Sequence, residues 1–173
     1  KMIYGNGTAK LVKENKWRDT RYGIIKDLGS HLIDLCYYFF EGKIKNFKLL
    51  QLNQLENRGS DHAIIYSNEK IFTELELSYC MWKNTFKIDI YGELGSVHMD
   101  NLCKWGVSNL ILRKRVFPSG KPKETIYTSL QGDPTWIEEH RYFERSTKSK
   151  SKNSLSNDIF INKELNRIIN DTQ

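Results

Sequence analysis

At 173 residues, with 39% apolar and 12% aromatic side chains, the chain has the length of one domain and enough apolar matter for a packed core, which excludes a disordered tail. Cys36, Cys80 and Cys103 are odd in number and show no CxxC spacing, which argues against a disulfide framework or a zinc site and fits reduced cytosolic thiols. The net charge of +6 is weak evidence for an anionic partner, since part of it sits in the polar run "RSTKSKSKNS" at 145–154, and no apolar run approaches the roughly 20 residues that span a bilayer.

In chain order, "YGNGTAKLVK" shows turn glycines followed by a short extended segment, and "KWRDTRYG" is an irregular polar stretch with one large aromatic. A helix over 27–40 follows, with Leu28, Leu32, Leu35 and Phe39 at helical spacing and Gly42 as its stop. "KIKNFKLLQLN" reads as a strand. "DHAIIYS" and "KIFTELELSYC", separated by Asn68 and Glu69, form a hairpin in which Leu75, Leu77 and Tyr79 alternate with Glu74, Glu76 and Ser78. "TFKIDIYG" repeats the alternation, with Phe86, Ile88 and Ile90 set against Lys87, Asp89 and Tyr91. "GELGSVHMD", "NLILRKRVF" and "ETIYTSL" add short strands. "DPTWIEEHRYFERS" starts a helix at Asp133 and Pro134, and "SNDIFINKELNRIIN" makes a terminal one with Ile159, Leu165 and Ile168 on its apolar side. The expected fold is α+β, an open, mostly antiparallel or mixed sheet of about six strands with helices on one face.

The helical stretch "KDLGSHLIDL" carries the chemistry. Asp27 and His31 are four residues apart, so an α-helix sets them on one patch, where a carboxylate orients an imidazole and stabilises its protonated form. Gly29, which costs roughly 1 kcal/mol in a helix relative to alanine, suits a turn approached closely by a ligand or by another backbone. Plainer readings stay open: Asp27 as a helix cap, His31 as a structural side chain, Asp34 as a packing or solvent residue. Trp17 and Arg18 precede the helix where a loop lines a pocket, or serve as an anchor and a surface charge. His62, His98 and His140 have no ligand-like spacing, and no metal site is expected.

Three segments together, "YGNGTAKLVKENKWRDTRYGIIKDLGSHLIDL", "FKIDIYGELGSVHMD", and "RKRVFPSGKPKE" with "DPTWIEEHRYF", resemble the C-terminal domain of the Gfo/Idh/MocA oxidoreductases, which include glucose-fructose oxidoreductase and inositol dehydrogenase. The most specific piece is the series Gly23, Asp27, Gly29 and His31. The resemblance covers nearly the whole of 1–173 and implies a single C-terminal substrate-binding and oligomerisation domain. Its implied partners are an N-terminal Rossmann domain that binds NAD or NADP, a sugar or sugar-nucleotide substrate, and a second copy packed through the open sheet face. It implies Asp27 and His31 as catalytic residues working with a lysine of that other domain; beside it, Trp17 and Arg18 by their place before the helix are candidates for the sugar site, and Gly29 by its place in the turn for the cofactor.

"GNG" at 5–7 is expected to lack a buried strand before it and a helix after it, so no dinucleotide fingerprint is read there, and Lys121 in "SGKPKE" has the wrong context for the family's lysine. The chain opens at Lys1 without a methionine, as a piece of something longer would. Two alternatives accompany the dehydrogenase reading: a non-catalytic oligomerisation or binding module with the same fold, and a nucleic-acid binder, which charge alone suggests and no aromatic-basic strand supports. A cytoplasmic location without membrane contact is expected.

Overall fold

The structure is a computed structural model that describes residues 1–130, 132–148 and 155–172. Most of the basic run at 145–154 lies outside the described residues. The α+β class and the open, mostly antiparallel sheet are as expected, with eight strands rather than about six. The chain divides into two compact units, residues 1–87 with 156–173, and residues 88–155.

In the first unit, β1 (Met2–Gly5) pairs parallel with β4 (Phe72–Ser78), which pairs antiparallel with β3 (His62–Asn68), which pairs antiparallel with β2 (Lys48–Asn53). The sequence missed β1 because four residues are too short for alternation to register, and a parallel partner more than 70 positions away leaves no local turn signal. "AKLV" is helical rather than extended: it forms the single turn α1 (Ala9–Val12), whose Ala9 and Val12 are buried. A π-helical turn, Ile25–Gly29, runs into α2 (Ser30–Phe40), which ends where Glu41 and Gly42 both take positive φ.

Alternation decides what the sheet buries. Ala63, Ile65, Leu75 and Leu77 point to the helices and are fully buried with Ile24, Ile25, Leu32, Ile33 and Cys36. The last helix of the chain, α4 (Ser156–Asn170), packs on α2 and on β2. Its apolar side is not the expected one: Ile168 is buried, but Ile159 is 66% exposed, and the buried partner is the carboxylate of Glu164, which accepts the Phe47 amide hydrogen at 3.0 Å.

The chain passes from the first unit to the second within β5 (Thr85–Gly92). In the second unit β6 (Gly95–Asp100), β7 (Ser108–Lys114) and β8 (Lys123–Ser129) pair antiparallel in succession. The expected helix after Pro134 is α3 (Thr135–Lys148), started by Asp133, whose Oδ1 accepts from the Thr135 amide at 2.9 Å. No helix of the described residues is long and apolar enough to cross a membrane.

Candidate functional site

Two glycines and an aspartate bring the site together. A Cβ on Gly23 would lie 1.8 Å from the Arg18 carbonyl oxygen, so only glycine lets the irregular loop at 15–22 fold back over the start of the helix and deliver Arg18 to Asp27. Gly59 does the same from the other side, since a Cβ there would meet the Thr20 amide at 2.3 Å. The Gly59 amide donates to Asp19 Oδ1 at 2.6 Å, and the Ser60 hydroxyl donates to the Arg21 carbonyl at 2.7 Å. The loop carrying Gly59 is itself wound on a fully buried carboxylate, Asp61, which accepts the amides of Leu55, Glu56 and Asn57 at 2.8, 2.7 and 3.0 Å. Asp61 was not singled out by sequence reasoning; its one signal was an aspartate directly before a strand in a glycine-bearing loop.

Asp27 sits in the π turn. Its Oδ2 accepts from the Tyr79 hydroxyl at 2.9 Å, and Arg18 approaches from the loop, with Nη2 3.5 Å from Oδ1 and Nε 3.2 Å from Oδ2. The Nε contact is an ion pair without hydrogen-bond alignment, which leaves that buried N–H unsatisfied. Tyr79, fully buried at the end of β4, is the partner that sequence reasoning missed, having been read there only as an apolar strand position. Burial above all, then the Asp27 charge and hydrogen bond, hold its hydroxyl well above the usual phenol range, while Arg18 pulls the other way. Burial, followed by the same Asp27 charge, also raises Tyr4.

His31 stands apart from this pair. No hydrogen bond joins it to Asp27; its exposed ring meets Tyr4 edge-on at 5.7 Å. The physical reason is the π turn, whose i→i+5 bonding widens the coil and takes Asp27 off the line that i,i+4 stacking gives in an α-helix. The Ser30 hydroxyl donates to the Asp27 carbonyl at 2.6 Å, satisfying a backbone acceptor at this irregularity. His31 instead lines a cleft of about 300 Å³ between α2 and α4, with Ser30, Asp34, Asp158 and Asn162. Asp34 is a packing residue, accepting from the Asn157 amide group of α4.

Gly29 is buried, and a Cβ there would meet Leu77 Cδ1 at 3.3 Å and Ile65 Cδ1 at 3.6 Å. The close approach that glycine allows at this position is to side chains of the sheet. Trp17 is 52% exposed, with the Arg18 guanidinium 5.0 Å from its ring centroid.

The GNG turn differs from expectation: β1 precedes it and α1 follows it. Its amides are partly taken up by the protein itself. The Asn6 amide donates to the Ser78 carbonyl at 2.9 Å, the Thr8 amide to Asn6 Oδ1 at 3.1 Å, and the Ala9 amide to the Tyr79 carbonyl at 3.2 Å, so three of the amides a pyrophosphate would draw on are committed within the protein.

No protein-family model matches the chain. No curated protein matches it either. Solved structures do. The chain is similar to UDP-N-acetylglucosamine 3-dehydrogenase from Acidithiobacillus ferrooxidans, at 11% identity and a TM-score of 0.67 over 97% of this chain and 53% of that one. It is also similar to an oxidoreductase from Agrobacterium radiobacter solved with NAD+, L-tartaric acid and magnesium, at 17% identity and a TM-score of 0.64 over 95% of this chain and 52% of that one. A third likeness, at 13% identity and a TM-score of 0.69 over 97% of this chain and 51% of that one, is to a Desulfitobacterium hafniense protein provisionally described as an NADPH-dependent oxidoreductase. At these identities the likeness shows the fold, an architecture found in oxidoreductases. The chain spans about half the length of the solved chains it matches.

Proposed function

We propose that residues 1–173 form the substrate-binding and oligomerisation half of an NAD- or NADP-dependent dehydrogenase acting on a hydroxyl of a sugar or sugar nucleotide. The observation that carries this reading is the cluster of Arg18, Asp27 and Tyr79 around a π turn, a helical irregularity common at functional sites, with an exposed histidine one turn further along. The descriptions of the three similar structures each name a nicotinamide cofactor or a sugar-nucleotide substrate, which agrees with it. Since the Asn6, Thr8 and Ala9 amides in and after the GNG turn are committed within the protein, the cofactor is assigned to an N-terminal Rossmann half, and the roles of this chain are on the substrate side.

In this reading His31 takes the proton of the reacting hydroxyl, the general-base role that an imidazole most often fills. Asp27, one turn away, anchors Arg18, which together with Trp17 lines the sugar site, and adds negative charge to it. Gly29 contributes by letting the turn settle on the sheet and so fixes the height of Asp27. Self-association is proposed through the open sheet face of each unit, with Glu74, Glu76 and Lys87 in the first and Asp89 and Tyr91 in the second; Tyr91 is 76% exposed. The test of function is reduction of NAD+ or NADP+ by a panel of sugars and sugar nucleotides with the full-length protein. Turnover of at least one of them supports the reading, and none across the panel opposes it.

A second reading rests on the same cluster. The Asp27 side chain is only 13% exposed and already has Arg18 and Tyr79 as partners, as a purely structural ion pair would. A non-catalytic module would keep this arrangement, and would tolerate loss of His31 without effect.

A further inference from the structure

The second unit contains an arrangement that the dehydrogenase reading does not use. The turn at 92–95 folds β6 back beside β5, and on β6 the residues Ser96 and His98, two apart, share one face. His98 Nδ1 lies 2.6 Å from Asp89 Oδ1, and His98 Nε2 lies 2.8 Å from Ser96 Oγ. The histidine is 8% exposed, and the Tyr91 ring covers it edge-on at 5.4 Å. A buried histidine bridging a carboxylate and a hydroxyl is often structural. Here, however, Ser96 also lines a cavity of about 330 Å³, together with Tyr91, Arg113, Arg115, Ser119 and Gly120. Arg113 is paired with Glu124 at 2.6 Å, whereas Arg115 donates only to the Glu93 carbonyl at 3.2 Å, so its charge has no carboxylate partner among the described residues.

We propose that Ser96, His98 and Asp89 form an acyl-transfer site that cleaves small esters whose acyl group carries a carboxylate. The Ser96 oxygen attacks the ester carbonyl carbon while His98 Nε2 takes the hydroxyl proton. Collapse of the tetrahedral adduct breaks the bond to the alcohol oxygen, and the alcohol leaves with the proton from His98. Water, deprotonated by the same histidine, then attacks the acyl-serine, releasing the acid and restoring Ser96. Asp89 holds the imidazole with Nδ1 protonated and offsets its positive charge. Arg115 supplies positive charge to the free carboxylate of the acyl group, and the open groove of about 330 Å³ that it lines admits an acyl chain of a few carbons.

The probe is the p-nitrophenyl half-ester of succinic acid, with p-nitrophenyl acetate as the neutral comparison. The protein is diluted serially, because self-association through the face carrying Asp89 and Tyr91 would cover the cavity. At the lowest protein concentration the expected results are nitrophenolate release above buffer, a succinyl mass on the peptide containing Ser96, and faster cleavage of the succinyl than of the acetyl ester. Ser96→Ala abolishes the adduct, and His98→Gln slows release by about a hundredfold or more. If His98→Gln fails to fold, Asp89→Asn, which keeps the size of the side chain, serves instead and should slow release at least about tenfold. Release at the buffer rate, an acyl mass elsewhere than Ser96, or rates unchanged in Asp89→Asn would overturn the proposal, and none of these outcomes bears on His31.

Discussion

Tyr79 and Arg18 hold one carboxylate from two sides, and the two contacts differ in kind. The tyrosine gives a buried, aligned hydrogen bond, while the arginine, with its side chain 37% exposed, gives an ion pair that solvent screens. Tyr79→Phe should therefore cost about 1 to 2 kcal/mol of unfolding free energy, read by urea denaturation, and Arg18→Ala less. Gly23→Ala forces a methyl group against the Arg18 carbonyl and should cost about 1 to 3 kcal/mol, with loss of the loop's protection in amide exchange. Cys80 gives a pH signature. Burial first, then the charges of Asp61 and Glu56, push its thiol up to about 11 from an ordinary 9.0. The thiolate is disfavoured in the folded state, so this contribution to stability is complete below pH 9 and lost as pH rises through about 11. Alkylation of Cys80 in the native protein should be slow at pH 8 and rise steeply toward pH 11; a rate already at its plateau at pH 9 would contradict the assignment.

Among the elements, α4 shows how a buried charge docks a helix. Glu164 is 2% exposed, accepts the Phe47 amide hydrogen and lies 3.6 Å from Arg167, whose guanidinium also donates to Asn46. Glu164→Ala strands the amide and should cost about 1 to 3 kcal/mol, whereas Glu164→Gln keeps an acceptor and should cost less; equal losses would contradict this account of the docking. The α2 helix and the β3–β4 hairpin were legible in the sequence because their apolar residues recur at the periods of the helix and the strand. Glu164 was not legible, since an i,i+3 pattern of charges reads as a solvated face whether or not a backbone amide lies opposite it. The same limit applies to the site. Asp27, Arg18 and His31 were visible as residue types, but Tyr79 is 52 positions away from Asp27, and the π turn that separates Asp27 from His31 leaves no mark in hydrophobic spacing.

At the scale of the whole molecule, the account rests on a division of labour between two halves. The 173-residue chain alone should show no appreciable affinity for NAD or NADP in calorimetry, because its glycine turn spends the Asn6, Thr8 and Ala9 amides internally; micromolar binding at one defined site would contradict that. Sedimentation at several concentrations should give a dimer that Tyr91→Lys disrupts, and a monomer throughout would remove the proposed face. The most direct test is His31→Asn in the full-length protein, compared with the parent in steady-state kinetics under cofactor titration. Loss of a general base predicts turnover reduced by about 10²- to 10⁴-fold with cofactor affinity nearly unchanged, and near-normal turnover across neutral pH would show that His31 is structural.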